Sequence, residues 1–283
     1  MALTETLRPP SVLVMGAPGS GKTTALSTIL KSGVKLFSIV TEPGGVDSLV
    51  DAVTKAGLDL NLLHWHYVPP STPGWKAIRY AGQLANTLSY KDLSDLKMGV
   101  AREEQKALGV LFDLCEHMVD QRTGKDLGPI EVLGPSWAIA LDSMSGLNDI
   151  CLQNTVGFKP SPHQGEWGTA MSLENQIINK LCSDLTSYFI CNCHLDRVTE
   201  EVSLSSKVVC AALGSKLGPK IPRFFGDFVY SQRKESGFTW STLSNEADLK
   251  NRALPVGKDF PPDFTPIITA YNSRIKALSG AAA

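Results

Sequence analysis

A chain of 283 residues with 43% hydrophobic content can bury the core of one large α/β domain or of a domain plus an appendage. Charged residues make up 19%, and 27 basic against 28 acidic residues leave a formal net charge of −1. This balance excludes global disorder and gives no overall bias toward nucleic acid or an anionic membrane. The opening MALTETLRPP is too polar for a signal peptide, no apolar run is long enough to span a membrane, and the six cysteines form no C-x-x-C pair. The chain therefore reads as cytoplasmic and reduced, with Cys191 and Cys193 as small buried thiols rather than metal ligands.

Residues 1–10 read as an N-terminal tail. Ser11 to Met15 (SVLVM) is a short apolar run ending at glycine and predicts a buried strand, with a helix from Thr23 to Lys31. Lys35 to Val40 is a second strand, followed by the turn Glu42-Pro43-Gly44-Gly45 and a helix over 46–56. Leu63 to Val68 is strand-like and stops at two prolines; 74–119 reads as mostly helical, with Leu108, Leu111, Phe112 and Cys115 on one face of a helix running from Arg102 to Met118. Residues 120–136 read as a loop. Trp137 to Leu141 is a buried strand ending at Asp142-Ser143; 154–168 reads as a long polar loop, 169–186 as helix and Tyr188 to Cys193 as a strand ending at His194. Strands alternating with helices predict right-handed crossovers, hence an α/β fold with a mostly parallel sheet and helices on both faces. After a polar, irregular stretch over 198–220, Phe228 to Gln232 and Phe238 to Leu243 flank Glu235-Ser236-Gly237 and predict a C-terminal β-hairpin. The core then spans 11–243. An extension over 244–283, mostly loop with a short closing helix, ends in the tail SGAAA.

The chemistry begins at Gly16-Ala17-Pro18-Gly19-Ser20-Gly21-Lys22-Thr23, which fits G-x-x-x-x-G-K-[ST] between an apolar strand and a helix. Glycines let successive N–H groups curl inward into an anion nest, and the following helix, starting near Thr24, adds the positive end of its dipole. This predicts a binding loop for ATP with Mg²⁺, in which Lys22 reaches the β- and γ-phosphates and Thr23 places its hydroxyl on the metal. Phosphoryl transfer also needs a metal-orienting carboxylate and a group to position water. Asp142 closes a parallel strand, so it faces the ligand crevice and is the second candidate for the metal. Glu42, after the second strand and before two glycines, is the candidate water-activating base, and His194, ending the last core strand, the candidate γ-phosphate sensor.

LFSIVTEPGG, AIALDSMSGL and FICNCHLD together are similar to the corresponding motifs of RecA-core ATPases. GEWGTAMSLENQIINKL and LGSKLGPKIPRFFGDFVYS resemble phage single-domain RecA-like ATPases, small recombination-type proteins encoded near single-strand-binding or annealing proteins. The resemblance covers roughly 11–252. It implies a RecA-like P-loop core that hydrolyses ATP at the boundary between subunits of a ring or filament, with single-stranded DNA as partner. It also implies a basic residue supplied by the neighbouring subunit. Lys250-Asn251-Arg252 resembles the K-x-R element of hexameric RecA-core helicases, with Lys216 and Lys220 as competitors. Loops over 154–168 and 197–213 stand where RecA-type proteins hold single strands, with Lys159, His163, Trp167, Arg197 and Lys207 as the contacting residues and Glu200, Glu201 and Glu166 opposing. A P-loop small-molecule kinase and an ATP-switched assembly protein are the alternative readings.

Overall fold

The structure, a computed structural model, describes residues 7–96, 104–199 and 206–280. Parts of four expectations lie outside these residues: the first six of the tail, the start of the 102–118 helix, the acidic pair Glu200 and Glu201, and the last three residues.

β1 (Ser11–Gly16) leads into a one-turn helix α1 (Lys22–Leu26). β2 (Lys35–Val40), α2 (Gly45–Lys55) and β3 (Leu63–Tyr67) follow. Then come α3 (Trp75–Thr87), α4 (Tyr90–Ser94) and α5 (Ala107–Glu116). β4 (Trp137–Asp142), α6 (Met144–Val156), α7 (Gln164–Asp184) and β5 (Tyr188–Cys193) complete the central part. The ribbon β6 (Leu195–Thr199) and β7 (Ser206–Cys210), the short α8 (Gly214–Leu217), the hairpin β8 (Asp227–Lys234) and β9 (Gly237–Ser241), and α9 (Thr265–Gly280) close the chain.

Seven strands form one sheet in the order β3-β2-β4-β5-β1-β8-β9; β3 through β8 are parallel and β9 turns back antiparallel. This is a RecA-like arrangement: the strand carrying the glycine loop, β1, and the strand carrying Asp142, β4, are separated by β5. Its amphipathic logic is visible in β1. Val12 and Val14 point to one layer, with Leu26, Leu49, Val53 and Ile267; Leu13 and Met15 point to the other, with Leu147, Ile150, Ile178 and Leu181. Period-two alternation across a sheet buried on both faces makes every position of such a strand apolar.

The helix expected over 23–31 is α-helical only to Leu26 and then tightens to a 3₁₀ turn, Ser27–Ser32, closed by Gly33 at φ 72°. Hydroxyls make the bend: Ser27 Oγ donates to the Thr24 carbonyl and Thr28 Oγ1 to the Ala25 carbonyl, an alternative to the regular helical ladder. The polar loop expected over 154–168 is shorter, confined to 157–163. α6 runs through Val156 and α7 starts at Gln164, capped by the His163 side chain and by Glu166 reaching back to the His163 N–H. This is a capping box built with histidine, which the usual Ser/Thr signature passes over. The stretch over 198–220, expected to be irregular, holds the antiparallel β6–β7 ribbon. No described helix is long and apolar enough to cross a membrane.

Candidate functional site

The site gathers at the carboxyl ends of the parallel strands, where an open α/β sheet leaves a crevice. β1 stops at Gly16 because nothing larger fits: a Cβ there would come within 2.5 Å of the Ser231 carbonyl and 2.4 Å of Ser20 Oγ. Gly19 and Gly21 then take φ of 72° and 86°, the left-handed region that turns the amides of a nest inward. Gly21 also faces the ring of Phe238, 2.4 Å from where its Cβ would stand, and Ser231 Oγ donates to the Ser20 carbonyl at 2.9 Å. The C-terminal hairpin thus braces the loop formed by Gly16, Ala17, Pro18, Gly19, Ser20 and Gly21.

Lys22 is buried and folds back across this loop, donating to the Gly16 carbonyl at 2.9 Å and the Ala17 carbonyl at 3.0 Å. Burial lowers its pKa, opposed by the negative groups around it, Asp142 and Glu42 among them. An ammonium suspended over a ring of inward amides has the donor set for a phosphate chain. Thr24 follows on α1, where its carbonyl accepts from Ser27.

Thr23 Oγ1 donates to Asp142 Oδ2 at 2.8 Å, and Asn192 Nδ2 donates to Asp142 Oδ1 at 3.1 Å. Asp142 is 5% exposed, and burial pushes its carboxyl up while the two hydrogen bonds pull it down. A hydroxyl and a buried carboxylate already joined, with an amide fixing the carboxylate's other oxygen, is the donor set that an octahedral, oxygen-seeking cation such as Mg²⁺ takes alongside nucleotide phosphates. Among the described residues no group of three or more His, Cys, Asp and Glu is arranged to hold a metal ion by itself.

Glu42 and His194 come from strands on opposite sides of β4 and meet above it: His194 Nε2 lies 2.9 Å from Glu42 Oε1. Ser143 Oγ donates to the same carboxylate oxygen. The hydrogen bond from His194, opposed by partial burial and helped by Ser143 and the charge of Lys22, holds Glu42 below the ordinary carboxylate range. The other ring nitrogen, His194 Nδ1, is buried and has no partner among the described residues. Thr41 locks the underside: its amide donates to the Asp142 carbonyl at 2.8 Å and its hydroxyl is 2.8 Å from both the carbonyl and the amide of Ser143. The Asp142–Ser143 peptide is cis. Gly146 allows this approach, since a Cβ there would sit 2.2 Å from Thr41 Oγ1.

The structure therefore brings together Gly16 to Thr23, Glu42, Asp142 and His194. Thr41, Ser143 and Asn192 join them without having been singled out in the sequence; the available signal was Asn192, a lone amide inside the apolar run YFICNC. Lys250 and Arg252 stand elsewhere. Lys250 pairs through its backbone with Phe228, and its ammonium turns back to donate to the Phe225 carbonyl at 2.6 Å, so it does not point outward alongside Arg252. The Arg252 amide donates at 2.7 Å to Asp227 Oδ1, at the amino end of β8, and its side chain is exposed. Asp227 is in register with Val12, whereas Gly16 is in register with Ser231. The K-x-R element is thus at the opposite end of the sheet from its own phosphate loop.

The residues expected to hold a single strand are largely occupied within the fold. Lys159 is buried against Glu166 at 2.8 Å, His163 caps α7, and Trp167 lies on that helix against the core. Arg197 and Lys207, on the ribbon, pair at 3.3 Å with Glu246 and Asp248.

No family model matches this chain, and no curated protein matches it. Among solved structures it is similar to the flagellar accessory protein FlaH from Methanocaldococcus jannaschii, at 10% identity over 90% of this chain and 92% of that one, with a TM-score of 0.39. At that distance the fold rests on the strand order and loop geometry given above.

Proposed function

We propose that this chain binds ATP with Mg²⁺ and hydrolyses it. The observation that carries the reading is the Glu42 carboxylate, kept ionised by His194 and Ser143 at the same strand ends that hold the Thr23–Asp142 pair. Bound Mg²⁺ would supply charge neutralisation on the phosphates, held by the Thr23 hydroxyl with Asp142 behind it. The work of the protein's own groups is positioning and electrostatics, the main currency of phosphoryl transfer. The loop amides and Lys22 bind and orient the phosphate chain. Glu42 takes the proton of an attacking water, and His194, joined to Glu42, reports the γ-phosphate to the β6–β7 ribbon that begins one residue later.

Within the same proposal the chain works as a homo-oligomer with the nucleotide at the subunit boundary, which the resemblance to RecA-core ATPases supports. Single-stranded DNA is the partner that resemblance implies, with a single-strand-binding or annealing protein beside it. An ATP-switched assembly protein is the second reading; the two donors already engaged on Glu42 Oε1 favour a slow basal rate, and turnover separates the two. The test is calorimetric titration with ATP and Mg²⁺ alongside steady-state turnover, with and without an oligothymidylate. Lys22→Ala is expected to lose tight binding and turnover together. Equal ATP affinity in the variant and the wild type would overturn the reading.

A further inference from the structure

The chain leaves the carboxyl end of the edge strand β3 and enters α3, a helix with no fully buried residue. Its half-buried positions, Ala77, Ala81 and Leu84, with Leu88 just after it, form a narrow stripe spaced by four, three and four residues. Everything on the other side faces water. Trp75 is 86% exposed and Tyr80 is 53% exposed, and Tyr90, at the start of α4, is 80% exposed. Fully exposed tryptophan and tyrosine in this density are costly to leave in water and mark a contact surface.

On α3 itself the charges have one sign, and the exposed acids Asp92 and Asp95 come only after Lys91, on and just beyond α4. From Val68 to Lys91 the sequence holds Lys76, Arg79 and Lys91 and no aspartate or glutamate. All three cations are exposed, and none is in an ion pair among the described residues, unlike Lys159, Arg197 and Lys207 in the segments first expected to bind a strand. Spacing by four places Trp75 beside Arg79 on one ridge of α3 and Lys76 beside Tyr80 on the next, so rings and cations interleave.

We propose that the outward face of α3 is a binding surface for single-stranded nucleic acid. Unpaired bases offer π-faces that stack on exposed aromatic rings whatever their sequence, while the backbone between them needs a cation every few ångströms. The face matches both demands. A bilayer is a poorer match, because the outward face sets Lys76 and Arg79 among its rings and has one large aliphatic side chain, Ile78, 46% exposed. A second copy meeting through the same face is also a poorer match, since α3 carries no acid to answer Lys76 and Arg79. The inference rests on exposure and charge and stands whether or not the chain hydrolyses ATP.

The test is fluorescence anisotropy of a fluorescein-labelled oligothymidylate with the full chain at low salt, against the Trp75→Ala/Tyr80→Ala and Lys76→Ala/Arg79→Ala variants. Because these side chains are exposed, all variants are expected to keep the wild-type melting temperature and basal ATP turnover. Loss of stacking should weaken binding by about tenfold or more. Loss of two cations should weaken it and flatten the slope of log affinity against log salt by about 1.4, at roughly 0.7 per phosphate contact on single strands. Lys22→Ala should still bind the oligonucleotide without ATP, which separates a failure of this surface from a failure of the nucleotide reading. The proposal falls if the wild type does not bind at low salt, or if both variants bind as tightly as the wild type. It also falls if the variants change only the sedimentation of the protein alone, or only its binding to anionic vesicles.

Discussion

At the residue scale the site is a contest over one carboxylate. Glu42 accepts from both His194 and Ser143 on the same oxygen, and these bonds outweigh its partial burial. It is therefore ionised, and its protonation lies below the ordinary glutamate value of 4.5. A group depressed in this way loses its charge only as pH falls through that lowered value, so a turnover that depends on the Glu42 carboxylate should keep its acid limb below pH 4.5, read from a pH–rate profile over the range in which the protein stays folded. Glu42→Gln keeps the shape and removes the base. It should bind ATP as the wild type does and turn over at least about a hundredfold more slowly, the scale of a lost general base. Normal hydrolysis by this variant in a phosphate-release assay would show that water is activated by another group. The sequence made Glu42, Asp142 and His194 legible because each directly ends a strand, or follows it by two residues. It left Ser143 without a role, because a hydroxyl's partner depends on which strands neighbour one another.

At the scale of elements, α7 carries a group that the proposed chemistry does not use. Glu174 is fully buried, and one of its oxygens accepts from the Leu213 amide at 2.9 Å while the other has no partner among the described residues. It ties α7 to the segment after β7, whose Ala211 amide donates to the His194 carbonyl. Burial pushes its carboxyl up to about 7. Between the unfolded value of 4.5 and about 7, the native state keeps a proton that the unfolded chain has lost. Stability should therefore fall as pH rises through this window and level off above it, by a total on the order of 3 kcal/mol. Glu174→Gln can still accept from Leu213 and cannot ionise. Urea unfolding should show it about equal to the wild type at low pH and more stable by about 1–3 kcal/mol above pH ~7.5; an unchanged pH dependence would place the effect on another group. The sequence periodicity showed this helix but not its start, because the cap is a histidine. It showed a charged residue at 174 but not its burial, since neighbouring positions on α7 are polar.

At the scale of the molecule, the sheet decides what the K-x-R element can reach. Asp227 and Ser231 are four residues apart on β8, about 13 Å at strand rise, and Arg252 hangs from the first while the phosphate loop leans on the second. Arg252 is exposed and cannot serve its own loop, so any action on phosphate must be on a neighbour's. Under the oligomer proposal, Arg252→Ala should bind ATP normally and hydrolyse it poorly, since trans arginines contribute on the order of 10³ to 10⁵ in rate. Mixed with Lys22→Ala protein it should recover activity, because a mixed boundary joins an intact loop to an intact arginine. Purely additive rates, at concentrations where the wild type self-associates, would pass the role to Lys216 or Lys220, both exposed beside the segment that bonds His194.

What the amino-acid sequence determined by itself is local in origin. Apolar runs broken by glycine made the strands, and left-handed glycines before Lys22 and Thr23 made the phosphate loop. A carboxylate at a strand end had to face the crevice, because parallel strands all end there. Tertiary structure decided what depends on which segments become neighbours. Insertion of β5 between β1 and β4 brought Asn192 to Asp142 and set Glu42 and His194 across β4 from each other. Pairing of the hairpin with β1 laid Phe238 against Gly21 and sent Arg252 to the far end of the sheet. The balance of surface charge was decided in the same way: Lys159, Arg197 and Lys207 met acids that the fold carried to them, from seven, 49 and 41 residues away, while Lys76, Arg79 and Lys91 pair with no acid among the described residues. Hydrogen bonds and ion pairs act over a few ångströms, so a side chain's partner is set by where the backbone takes it rather than by its own chemistry.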